Sequence, residues 1–155
     1  MIAAQFFGGL GGGFLLFIVA GFRMPVLIPQ VNNLLGSYVN EIFFSFMLFT
    51  VIYCVKNNKH NDTIDSVLNW LTCAITIIGV ILYGGKTSGA CYNPAVGFTI
   101  TFWASLAEGH HEYYKNLVLY FVAPTIGACF AGFFVRYYID QEFLKDDGKI
   151  KKILK

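Results

Sequence analysis

Charged residues are scarce in this chain: Asp, Glu, Lys and Arg together make up 13% of its 155 residues, where a soluble domain carries about 25%. That scarcity excludes an ordinary soluble globular protein. The net charge is only +2, and six of the eleven basic residues lie from Arg136 onward, so nothing points to nucleic acid as a partner. Four cysteines, Cys54, Cys73, Cys91 and Cys129, are scattered without a C-x-x-C pair, which excludes a zinc site of that type and a disulfide framework. Three of them read as buried small apolar residues. No Ser/His/Asp or Cys/His arrangement, phosphate loop or dinucleotide fingerprint is present, so neither catalysis nor a cofactor is expected.

What the chain has in abundance is apolar sequence. Hydrophobic residues account for 56%, with 16 phenylalanines, which places the protein among integral, multi-pass membrane proteins. Four stretches are long enough to span a bilayer: residues 2–22, 34–55, 66–85 and 116–138. The first has no basic residue at its start and too long an uncharged run for a signal peptide. Loops fall at 23–33, rich in Pro and Asn, and at 56–65, KNNKHNDTID. The expected organisation is one all-α membrane domain over 1–140 and a basic cytoplasmic tail over 141–155, which includes Lys149, Lys151, Lys152 and Lys155. With both termini inside, eight Lys and Arg residues flank the cytoplasmic side and three the outer side, the arrangement that the positive-inside rule favours. The sequon Asn61-Asp62-Thr63 then lies in the cytoplasm, unglycosylated. Gly8 with Gly12, Gly9 with Gly13, Gly127 with Ala131 and Ala128 with Gly132 stand four apart, a spacing that lets helix backbones approach closely.

One segment breaks the pattern. Residues 87–98 read TSGACYNPAVGF. Asn93 is suited to cap a helix with its side chain, Pro94 to the first helical position, and the sequence from Ala95 to Leu106 is uncharged and apolar. A helix over 93–106 is far short of the roughly 20 residues that cross a bilayer, so it is expected to dip in and return as a re-entrant half-helix. The irregular backbone leading into it is tolerated at membrane depth only beside protein or a water-filled cavity, the geometry of a pore or transport site. Glu41 is the single acidic residue inside a span, and no basic residue at its depth is available to pair with it. Its expected role is to anchor the loop that presents Asn93; a proton relay is the alternative, weakened by the lack of a second intramembrane Asp, Glu or His.

These residues together resemble the major intrinsic proteins, the aquaporin and aquaglyceroporin family, from that family's third transmembrane helix to its C-terminus. Ala4-Gln5 with the following glycines is similar to the start of the third helix, and Asn40-Glu41-Ile42 with Ser45 to the fourth. Ser88-Gly89-Ala90 before Asn93-Pro94-Ala95 resembles the second pore loop, and Ala123-Pro124 with Ile126-Gly127-Ala128 the sixth helix. The resemblance implies an aquaporin-like helical bundle, here partial, with four spans and one half-helix. Asn93, Pro94 and Ala95 become the pore motif, Ile81, Ala90 and Val96 the filter residues, and Glu41 the loop anchor. It implies passive conduction of water or small neutral solutes, with lipid around the chain and a homo-oligomer, a tetramer by resemblance.

Two departures shape the expectation. The family has two inverted repeats whose half-helices meet at the pore, and only one Asn-Pro-Ala is present here, so a chain supplying the first repeat is expected as a partner. Val96 stands where the family usually carries the arginine of its filter. The alternative readings are a structural subunit of a membrane complex that keeps the half-fold without transport, and an ion-coupled transporter built on a broken helix, against which the solitary Glu41 argues. His110, His111 and Glu112, with Glu108 nearby, read as a solvated loop before a metal or pH-sensing site, and Cys91, beside the pore loop, reads equally as a thiol open to reagents from the pore mouth and as a merely buried cysteine.

Overall fold

A computed structural model describes residues 2–23, 27–29, 33–56, 66–108, 113–139 and 141. The tail from 142, the sequon loop and His110, His111 and Glu112 lie outside the described residues. Five α-helices carry the fold: α1 (Ile2–Val19), α2 (Leu34–Lys56), α3 (Ser66–Ser88), α4 (Pro94–Glu108) and α5 (Tyr114–Phe134), the last continuing as a π-helical stretch over Val135–Ile139. No strand occurs among the described residues. Among the described residues three helices are long and apolar enough to cross a membrane, Leu34–Lys56, Val67–Ser88 and Tyr114–Ile139. This is an integral multi-pass membrane protein.

Each helix end has a local cause. α1 stops before the end of its apolar run because Gly21 adopts φ 65° and the next N–H groups fold back on the helix. Gly21 N–H donates to the Ile18 carbonyl at 3.2 Å and Phe22 N–H to that of Phe17 at 2.8 Å, a Schellman ending whose usual apolar contact is the edge-on pair of Phe17 and Phe22 rings, 5.0 Å apart. The 18-residue α1 is therefore about 27 Å long, slightly under the roughly 30 Å of a bilayer core. Asn33 opens α2, its Oδ1 accepting from Gly36 N–H at 3.0 Å. α3 runs on to Ser88 and ends at Gly89, whose φ of 87° and bond to the Gly85 carbonyl at 3.1 Å make it the left-handed residue of the cap.

The helices contact one another in the order α3, α2, α5, α4, α1, an open row rather than a closed ring. Small residues set each crossing. At Gly127 of α5 a Cβ would strike the Ile42 carbonyl, with Ser45 Cβ 2.8 Å away, so α2 and α5 meet backbone to backbone. Pro124 cannot donate to the Tyr120 carbonyl one turn earlier, and α4 approaches at that place: a Cβ on Gly97 would lie 3.2 Å from the Tyr120 oxygen. Along α1, Gly9 and Gly13 face Thr99 and Trp103 of α4, and Trp103 Nε1 donates to the Leu10 carbonyl at 3.1 Å. Gly8 and Gly12 have nothing within 4 Å of an added Cβ, so of the two glycine pairs in this helix one packs and the other lies open.

Candidate functional site

The five residues between α3 and α4 form a tight, strained connection. After Gly89, both Ala90 (φ 55°) and Tyr92 (φ 50°) occupy the left-handed region, at a cost of about 1–2 kcal/mol for each residue bearing a Cβ. External hydrogen bonds offset that cost. Glu41, fully buried on α2, accepts from Ser88 Oγ at 2.6 Å, from Cys91 N–H at 3.0 Å and from Tyr92 N–H at 2.8 Å. Ser88 Oγ in turn accepts from Ala90 N–H at 3.2 Å and lies 2.8 Å from Asn40 Oδ1. Its single proton serves one acceptor at a time. From α5 the Tyr120 hydroxyl donates to the Ser88 carbonyl at 2.6 Å. The Tyr92 hydroxyl reaches back to Asn40 Oδ1 at 3.1 Å and the Val80 carbonyl at 3.2 Å. Three helices thus hold one loop.

The loop delivers Asn93 to the start of α4. Its Oδ1 accepts from Ala95 N–H at 3.0 Å and Val96 N–H at 3.4 Å, while its carbonyl takes Gly97 N–H at 2.9 Å. Pro94, which has no N–H to satisfy, occupies the first helical position. With its oxygen committed to the cap, the exposed Asn93 amide keeps its N–H donors for another acceptor. Pro94 and Ala95 also line a cavity of about 720 Å³ between α1 and α5. Thr125, Cys129, Gly132 and Arg136 line it along one face of α5, with Gln5 and Phe6 opposite on α1.

The remaining residues singled out from the sequence lie on three different elements. Ile81 is largely exposed on α3, Val96 is exposed on the first turn of α4, and Ala90 is half-buried in the loop against the cluster of Leu48, Val80 and Tyr92. Cys91 donates its thiol proton to the Asn93 carbonyl at 3.2 Å. Among the described residues no group of His, Cys, Asp and Glu is placed to hold a metal ion. Sequence reasoning missed the parts played by Tyr92, Tyr120 and Gly84. Tyr120 shows no local signal, whereas the Gly84-Gly85 pair in a span is a visible mark of close approach.

The model of the family described as Major intrinsic protein matches residues 1–135. The chain belongs to the major intrinsic protein family. Among relatives, maize (Zea mays) "Aquaporin SIP1-1" is 26% identical over 137 residues, covering 86% of this chain and 53% of that protein. "Aquaporin-8" of Notomys alexis is 27% identical over 150 residues, 90% of this chain and 52% of its own, and the Mus musculus protein of the same name is 28% identical over the same shares. This member of the family therefore spans about half the length of the curated relatives it matches. No solved structure matches it.

Proposed function

We propose that this major intrinsic protein chain forms one side of a channel wall that lets water and small neutral solutes pass Asn93, the wall being closed by a further repeat packed against it. The observation that carries the reading is the division of labour within one side chain: Asn93 Oδ1 caps α4 while its amide end stays exposed, and the next two residues, Pro94 and Ala95, line a cavity. A passing water or hydroxyl oxygen accepts from that amide. The positive end of the α4 dipole lies at the same point and opposes cations. Water held there by its oxygen turns its hydrogens away, which interrupts a proton wire.

In this reading α1 is a fourth span and α4 a re-entrant half-helix, 15 residues and about 22 Å long, entering from outside with both chain ends in the cytoplasm. Ile81, Ala90 and Val96 take the filter positions by family resemblance, and residues 1–140 form the membrane domain. Two features support a further repeat packing against this face. The helices contact one another in an open row, and the cavity beyond Pro94 is bordered by the small residues Ala128 and Gly132, which accommodate a closely packed helix. Glu41 acts as a loop anchor rather than a relay, since both of its oxygens already accept bonds from the loop. Osmotic shrinkage of vesicles holding the assembly isolated from its own membrane tests the reading: swift water efflux supports it, and efflux no faster than from protein-free vesicles rejects it.

A further inference from the structure

Glu41 fixes the N–H groups of Cys91 and Tyr92, but the side chain of Tyr92 is held separately. Only 2% exposed, its ring packs with Leu48 and Val80, 5.8 Å from the Phe44 ring. Its hydroxyl passes over α3 at Gly84 to reach Asn40 Oδ1 and the Val80 carbonyl. Any Cβ at residue 84 would collide with that hydroxyl and lie 2.8 Å from Asn40 Oδ1. Packing alone does not call for this arrangement. A phenylalanine ring would fill the same space, whereas the buried hydroxyl takes an acceptor, Asn40 Oδ1 on α2 or the Val80 carbonyl on α3, and needs a missing side chain at Gly84.

Tyr92 immediately precedes Asn93 and takes a left-handed φ, so the way its ring is seated sets the direction in which the chain enters the cap of α4. We propose that Tyr92 is a positioning residue for Asn93, a phenol latch made possible by Gly84 and received by Asn40. The inference rests on the reading of Asn93 as the group that solutes pass. Its consequence is selectivity: with the latch open, the Asn93 amide wanders, and discrimination between water and a larger neutral solute falls.

Cys91 reports on the latch directly, because its half-buried thiol is tied to the Asn93 carbonyl. In full-length chain with Cys54, Cys73 and Cys129 replaced by Ala, maleimide labelling of Cys91 in membrane vesicles reads loop geometry without requiring conduction. Tyr92→Phe is expected to raise the labelling rate roughly three- to tenfold, the worth of one buried hydrogen bond, at temperatures well below unfolding. Gly84→Ala should raise it further. The double variant should then label more slowly than Gly84→Ala alone, since phenylalanine removes the hydroxyl that the new Cβ strikes hardest and leaves only the ring's Cζ at 2.8 Å. In the conducting assembly Tyr92→Phe should raise the ratio of glycerol to water flux, which a packing role would leave unchanged. If Gly84→Ala fails to fold, Tyr92→Phe and Asn40→Ala form the cycle, and the pair together should label no faster than the quicker single variant. An unchanged Cys91 rate in Tyr92→Phe, or effects that multiply in either cycle, would overturn the latch and leave the channel reading standing. Failure of the assembly to conduct would instead remove the channel reading while the labelling result stood.

Discussion

Ser88 Oγ lies 2.6 Å from Glu41 Oε1, so the last residue of α3 is bonded to the middle of α2 across 47 positions of sequence. The bond matters because Ser88 is where the helix gives way to the loop. With Cys91 and Tyr92 N–H groups on the same carboxyl, one side chain satisfies three donors that the bilayer interior offers no water to pair.

Removing that carboxyl should therefore hurt more than neutralising it. Glu41→Gln keeps one oxygen for the loop, whereas Glu41→Leu leaves the Cys91 and Tyr92 N–H groups without their acceptor, at about 1–3 kcal/mol for each group, and leaves Ser88 Oγ only Asn40 Oδ1. Purification in detergent with fluorescence-detected size exclusion is expected to recover folded Gln variant and little Leu variant. Equal recovery would count against the anchoring role.

Glycines separate by what they face. Gly127→Ala places a Cβ against the Ile42 carbonyl of α2, a backbone atom that cannot step aside, and should destabilise by about 1–3 kcal/mol. Gly12→Ala meets nothing within 4 Å and removes an entropic penalty inside a helix, so it should be neutral or stabilise by up to about 1 kcal/mol. Thermal unfolding of the two variants in the same detergent gives the comparison, and similar melting temperatures would contradict the packing described.

The membrane class was legible from composition, and the start of α4 from the cap chemistry of Asn93 and Pro94. Hydropathy did not reveal the end of α1, because the Gly21 turn and the Phe17–Phe22 contact are made of the same apolar residues as the helix before them. Four-residue spacing marked both glycine pairs of α1 equally, and only the position of α4 separates Gly9 and Gly13 from Gly8 and Gly12. Glu41 stood out as a solitary carboxyl, yet its donors lie about 50 residues on and are mostly backbone groups, which sequence patterns do not display. Gly84-Gly85 marks close approach but not what approaches, and Tyr92 reads as ordinary for the flank of a membrane helix; their meaning lies in the pair.

Orientation is the third prediction. Single cysteines introduced at Asn57 and Lys149 should label only after the cytoplasmic face is opened, as the bias of Lys and Arg requires. Labelling of either from outside intact cells would reverse the topology.

Val96 carries the fourth. An apolar residue in place of the family's arginine removes a fixed charge and several donors, so the assembled channel should pass glycerol or urea alongside water. Val96→Arg is expected to lower solute flux several-fold more than water flux, measured on the same vesicles. Water-only passage in the unmodified assembly, or solute flux indifferent to the substitution, would show that the filter lies elsewhere.

Stopped-flow light scattering decides whether this chain takes part in conduction, with three sets of vesicles compared under one osmotic step: protein-free, reconstituted with this chain alone, and reconstituted with the assembly isolated from its native membrane. Protein-free rates are expected for these 155 residues alone, since their helices form an open row and the loop would face lipid, and clearly faster water efflux is expected for the assembly. Robust permeability from the chain alone, or none from the assembly, would contradict the account.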